Sequence, residues 1–292
     1  MVYFWLMRIL ARKAVVILAT LSLSLTASPV LAVPNSSNAT LQTLGTSRTL
    51  VLPPEADNSA VISLGSALDP QTGQVVEGLA IIHRKQRVKS REGQSHTRAV
   101  KCYGFLASGA KWKVVEPWVV NPTNTRSLDG NFVFNNLTLD IAKWEDAADG
   151  TVGNGSGKNI LGDGSQTASA LVADSSSPDG QNEVYFADVS SSGAIAVTIV
   201  WGVFSGPTFQ RRLVEWDQVY DDVDFDWSQT GEAGKMDFEN IGVHELGHSF
   251  GMDDLYNSAC SEETMYGFAS ASETKKRDLN TGDITGVSQL YK

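Results

Sequence analysis

Histidine and cysteine are scarce in this chain of 292 residues, with four of the first and two of the second. A multi-cysteine framework or zinc-finger array is therefore excluded, and a metal site built on imidazole must draw on His83, His96, His244 and His248. A basic surplus is also missing. The formal net charge is −10, so the positive field that neutralises phosphates is absent and no nucleic-acid partner is expected. Beyond the N-terminal region no run is apolar and long enough to cross a bilayer. No internal repeat is visible. What remains is an ordinary globular composition, 42% hydrophobic and 19% charged, with enough chain to bury a sizeable core.

The N-terminus reads as an export signal over residues 1–32. Arg8, Arg12 and Lys13 precede an apolar run from Ala14 to Leu25, and Ala27-Ser28-Pro29-Val30-Leu31-Ala32 offers small residues for cleavage after Ala32. The run is short for a membrane anchor. The expected location is extracellular, with no stable membrane association after cleavage. In an exported chain Cys102 and Cys260 suggest a disulfide. A competing reading makes the Cys102 thiolate a ligand that blocks a zinc ion.

Residues 33–100 read as a pro-segment or N-terminal extension. They are rich in Ser, Thr, Asn and Ala up to about residue 75, then strongly basic from His83 to Arg91. The basic stretch fits either a processing site or an exposed strand. From Cys102 the composition turns aromatic and β-rich, so the folded domain is expected over 101–292. Within it Trp112–Val115, Trp118–Val120, Glu183–Asp188, Ala194–Trp201 and Leu213–Tyr220 read as strands. Ala194–Trp201 is a continuous β-branched run of the kind buried on both faces. Residues 150–182 are dense in Gly, Ser and Asp and read as a long loop. Leu137, Ile141, Trp144 and Ala148 lie on one face of a helix, and further helices are expected over about 238–250 and from about Asp283. The fold class is α+β.

The chemistry is concentrated in Val243-His244-Glu245-Leu246-Gly247-His248-Ser249-Phe250-Gly251-Met252-Asp253-Asp254. On a helix His244 and His248 are one turn apart, so both imidazoles can reach one metal ion. Zinc suits such ligands, and a catalytic site needs three of them plus water. Glu245, next to the first histidine, is placed to act as general base toward that water. No histidine follows His248, so a downstream third ligand must be a carboxylate or Cys260. Gly251 allows the helix to end in a left-handed turn that brings Asp254 back to the metal. Asp253 is an adjacent competitor. A distant Glu262, Glu263 or Glu273 is the alternative.

These residues resemble the metzincin clan of zinc metalloproteases, closest in layout to matrixin-like bacterial and archaeal members. The clan pattern H-E-x-x-H-x-x-G-x-x-H/D runs from His244 to Asp254, with Asp last. Thr264-Met265-Tyr266-Gly267 resembles the clan's methionine turn, with Met265 as its methionine. The resemblance implies a mixed twisted sheet, an active-site helix and a C-terminal helix. It also implies a cleft whose upper edge strand, by order Ala194–Trp201, pairs with an extended peptide substrate. One catalytic zinc and no structural zinc are expected. Asp221, Asp222 and Asp224 are candidate calcium ligands. The expected function is a secreted, monomeric zinc endopeptidase. The competing class is an exported binding or surface protein with a vestigial site.

Overall fold

The computed structural model describes residues 48–57, 59–85 and 100–292. All of them fall within one compact unit, Leu41–Lys292. The export signal, His96 and most of the basic stretch lie outside the described residues. Among the described residues no helix is long and apolar enough to cross a membrane.

The strands in chain order are β1 (Thr49–Leu50), β2 (Val61–Leu68), β3 (Val75–Lys85), β4 (Trp118–Asn121), β5 (Gly164–Gln166), β6 (Asn182–Val189), β7 (Ala194–Val203), β8 (Arg212–Asp221), β9 (Trp227–Ser228), β10 (Met236–Asp237) and β11 (Phe268–Ala269). Nine form one mixed sheet with the path β11-β3-β7-β8-β6-β4-β5, while β2 joins β3, β1 joins β6, and β9 and β10 pair apart from it. Among the described residues three α-helices complete the α+β fold: α1 (Gly130–Ala147), α2 (Phe238–Ser249) and α3 (Thr281–Tyr291).

Alternation along the strands sorts side chains to two faces. Ile81, Ala196, Val200, Val184 and Phe186 point to the helices and pack with Leu137, Trp144, Val243 and Leu246. Ala80, Ile82, Val197, Ile199 and Trp201 point the other way, against Leu50, Leu52, Ala56 and Val76. The N-terminal residues 48–85 therefore supply both strands of the sheet and part of its second core.

Helix α1 starts where the Asp129 side chain accepts from the Phe132 amide, and it buries Val133, Leu137, Ile141 and Trp144. Trp144 reaches across to α2, its indole donating to the Val243 carbonyl at 2.8 Å. Helix α2 is capped in the same way by Asp237, which accepts from the Asn240 amide.

Two expectations are corrected. Trp112–Val115 forms no strand: the Trp112 indole donates to the Ser249 carbonyl at 2.7 Å, while Val114 and Val115 stay exposed. The segment anchors the end of α2 instead of joining a ladder. Ala194–Trp201 lies in β7, but β7 is no edge. It pairs antiparallel with β8 on one side and with β3, from Glu77↔Gly202 to Arg84↔Ala194, on the other.

Candidate metal centre

Helix α2 presents His244 and His248 from consecutive turns, with no exposed area on either. Each ring is fixed through its Nδ1, which donates to a backbone carbonyl: His244 to Thr264 at 2.7 Å and His248 to Met252 at 3.0 Å. Both Nε2 atoms are thereby turned into the same space. Gly251, at φ 96°, takes the left-handed conformation that reverses the chain after the helix. Asp254 returns with its Oδ1 at 3.2 Å from His244 Nε2 and 3.5 Å from His248 Nε2. Its Oδ2 accepts from the Tyr256 hydroxyl at 2.7 Å.

His244 Nε2, His248 Nε2 and Asp254 Oδ1 are all buried, and none makes a hydrogen bond. Three convergent atoms without hydrogen-bond partners suit a cation. Zinc bonds of ~2.0–2.1 Å at tetrahedral angles set ligand atoms about 3.3 Å apart, which matches the two separations.

The metal-free electrostatics follow from the same crowding. Burial, then Lys276, lowers His244 to about 3. Burial also opposes charge on His248, but Asp254 beside it prevails and raises it to about 9. Burial opposes charge on Asp254 too, yet the two histidines hold it well below the usual carboxylate range. His248 and Asp254 thus carry opposite charges 3.5 Å apart, and the proton on His248 is one that a metal would displace.

Glu245 has no exposure, and burial raises it to about 7 against the pull of His248 and Thr198. Its Oε2 accepts from the Thr198 hydroxyl of β7 at 2.6 Å. Its Oε1 lies 2.9 Å from Nδ1 of His83. The His83 ring rests on that of His244, centroids 3.8 Å apart, and its Nε2 lies 3.2 Å from Nζ of Lys276. A lysine only donates, so Nε2 accepts and Nδ1–H donates to Glu245. Burial, then His244 and Lys276, holds His83 well below its ordinary value, hence neutral.

His83 precedes the domain expected over 101–292, yet the structure puts it at the centre of this cluster. The continuous apolar run Leu79-Ala80-Ile81-Ile82 leading into His83 was the available cue. Lys276 was missed because Lys275-Lys276-Arg277 reads as a solvated basic group. It is fully buried.

Met265 lies beneath α2, where Gly247 permits the approach: a Cβ at position 247 would sit 2.2 Å from the Met265 sulfur. Asp283 of α3 accepts from the Thr264 and Met265 amides at 2.8 and 3.1 Å and so holds this turn. Sequence reasoning did not foresee that contact.

Cys102 and Cys260 are joined in a disulfide, so Cys102 offers no thiolate to a metal. Glu262 pairs with Lys275, Glu263 accepts from the Gly282 amide, and neither they nor Glu273 join the two histidines in a group with metal-ligand spacing. Asp221 accepts from the Val223 and Asp224 amides, Asp222 from the Thr125 amide, and Asp224 is exposed. These three do not meet at one point. Among the described residues the acids that do are Asp174, Glu215 and Asp217.

Residues 206–292 match the model of the matrixin family. The chain is also similar to the metalloendoproteinase 2-MMP of Arabidopsis thaliana, 24% identical over 228 residues, an alignment that takes in 74% of this chain. It spans about half, 53%, of that relative's length.

Proposed function

The chain is matrixin-like over residues 206–292, and from that premise we propose that it is a zinc endopeptidase acting on extended peptides. One observation carries the reading: His244 Nε2, His248 Nε2 and Asp254 Oδ1 converge without hydrogen bonds beside the Glu245 carboxylate. Zinc held by these three would supply a Lewis acid that acidifies water and polarises the scissile carbonyl. Glu245 takes the proton of the attacking water and returns it to the leaving amine. Burial disfavours the charged carboxylate and so strengthens its pull on a proton. Thr198 holds Oε2 and leaves Oε1 as the working oxygen once His83 withdraws. Met265 packs under α2 and keeps the two histidines in register.

In the described state the centre is closed, and Asp254 is the one member of the set with any exposure, 8%. We read residues 48–85 as the pro-segment of a latent precursor, exported by residues 1–32. Strand β3 takes the place of substrate along β7, and His83 occupies the base. An extended peptide would recover the same backbone pairing.

The test is activation of the full chain by trypsin, followed by mass spectrometry until the fragment containing β3 is gone, beside Glu245→Gln. The expected result is zinc bound equally by both and peptide hydrolysis by the parent alone. Zinc retained by both with no hydrolysis by either would remove the endopeptidase reading. Failure of either chain to bind zinc would remove the metal centre.

A further inference from the structure

Lys276 is a fully buried cation in a place where a merely structural lysine is costly. Its ammonium donates to the Tyr266 carbonyl and to Nε2 of His83. Among the described residues it forms no ion pair; the Glu273, Asp254 and Glu245 carboxylates act on it from beyond contact distance. Burial lowers it to about 8. No carboxylate of the described residues touches the ammonium, and what it faces is the side chain of β3 that reaches the metal centre.

The setting of His83 is that of a residue beside a scissile bond. Its strand is extended and paired along β7. The two residues that follow, Arg84 and Lys85, also pair with β11, at Phe268 and Ala269. The backbone thus runs between the strand above the centre and the segment beyond the Met265 turn. The imidazole stacks on His244 and touches Glu245 with one nitrogen and Lys276 with the other. When β3 leaves, a slot remains with the His244 ring as wall and the Lys276 ammonium at its end.

We propose that Lys276 is a specificity-determining residue whose ammonium, at the end of the slot filled by His83, selects a substrate with glutamate or aspartate next to the cut bond. This rests on the endopeptidase reading and names its substrate class. An apolar side chain in the slot leaves a buried ammonium short of an acceptor. A carboxylate gives it both an acceptor and a counter-charge in direct contact.

Two measurements test this. First, the trypsin-activated chain and its Lys276→Met variant are assayed on a peptide set that varies each residue flanking one cleavable bond. The parent is expected to cut acidic peptides at least about tenfold faster than leucine ones at one fixed position, a discrimination of the size a charged hydrogen bond provides. Lys276→Met, similar in volume, should lose or invert it. No acidic preference in the parent, or one that survives the substitution, overturns the proposal. A lysine that only braces the Tyr266 carbonyl would change overall rate and leave the preference intact.

Second, the uncut chain is unfolded thermally with His83→Glu and with His83→Leu. Both are made in a Glu245→Gln background, which removes repulsion from that carboxylate. Glutamate should give the higher Tm when Lys276 is present and the lower when Lys276→Met is added. An order that ignores Lys276 overturns the proposal. Should the activated chain cut no peptide at all, the endopeptidase reading fails, while this comparison still decides whether the slot prefers an anion.

Discussion

His248 and Asp254 set how the centre meets a metal. With His248 raised to about 9, His244 lowered to about 3 and Asp254 ionised throughout, one proton must leave when zinc binds at neutral pH. Zinc affinity is therefore expected to rise about tenfold per pH unit toward pH 9 and then level off, which competition with a chelator across pH 6–10 measures. A pH-independent constant would refute the ion pair. The same proton stabilises the metal-free fold. Its contribution is complete below the unfolded histidine value of about 6.5 and is lost as pH rises through about 9. Tyr256 orients the Asp254 carboxylate through its hydroxyl, so Tyr256→Phe should weaken zinc by about tenfold without shifting the far-UV spectrum. Unchanged affinity would mean that Asp254 is held by the chain alone. The pair His244 and His248 was legible because helical periodicity brings them together whatever the fold. His83 and Lys276 were not, since their contacts bridge 162 and 193 residues of sequence and depend on strand pairing.

Between elements, the contact that matters most is α2 on the Met265 turn. Gly247→Ala would drive a methyl into the Met265 sulfur, which lies 2.2 Å from the position of that Cβ. A cost of about 1–3 kcal/mol is expected, with zinc affinity falling as well because α2 must shift. Denaturant unfolding with and without zinc measures both, and an undisturbed affinity would separate the turn from the metal centre. The disulfide closes a loop of 158 residues. Chain entropy sets its contribution at about 5 kcal/mol, so unfolding in reductant should show a loss of that order at most. Strands β6 and β7 were readable from their apolar runs, and β8 from its β-branched and aromatic residues Val214, Trp216, Val219 and Tyr220. Strands β2 and β3 were hidden because glycine at 65 and 78 and polar residues such as Ser63, Ser66 and Glu77 interrupt theirs. Gly78 has a packing reason: a Cβ there would meet the Trp201 indole at 2.6 Å.

In the molecule as a whole, residues 48–85 are held by more than the metal centre. They add β1, β2 and β3 to the sheet, and Leu50, Leu52, Ile62, Val76 and Ile82 bury against its second face. At roughly 2 kcal/mol for each large side chain, these five alone contribute about 10 kcal/mol, before the ladder along β7 is considered. A single cut after Arg87, Lys89, Arg91 or Arg98 severs the covalent link and leaves that burial in place. The nicked chain should therefore elute at the size of the uncut one. Peptidase activity should lag behind the cut and follow the loss of the β3 fragment. Gel filtration, mass spectrometry and peptide hydrolysis on one time course distinguish the two events. Activity that rises in step with the cut itself would mean that β3 leaves β7 readily, or that it never closes the centre, and the latency argued from His83 would fall with it.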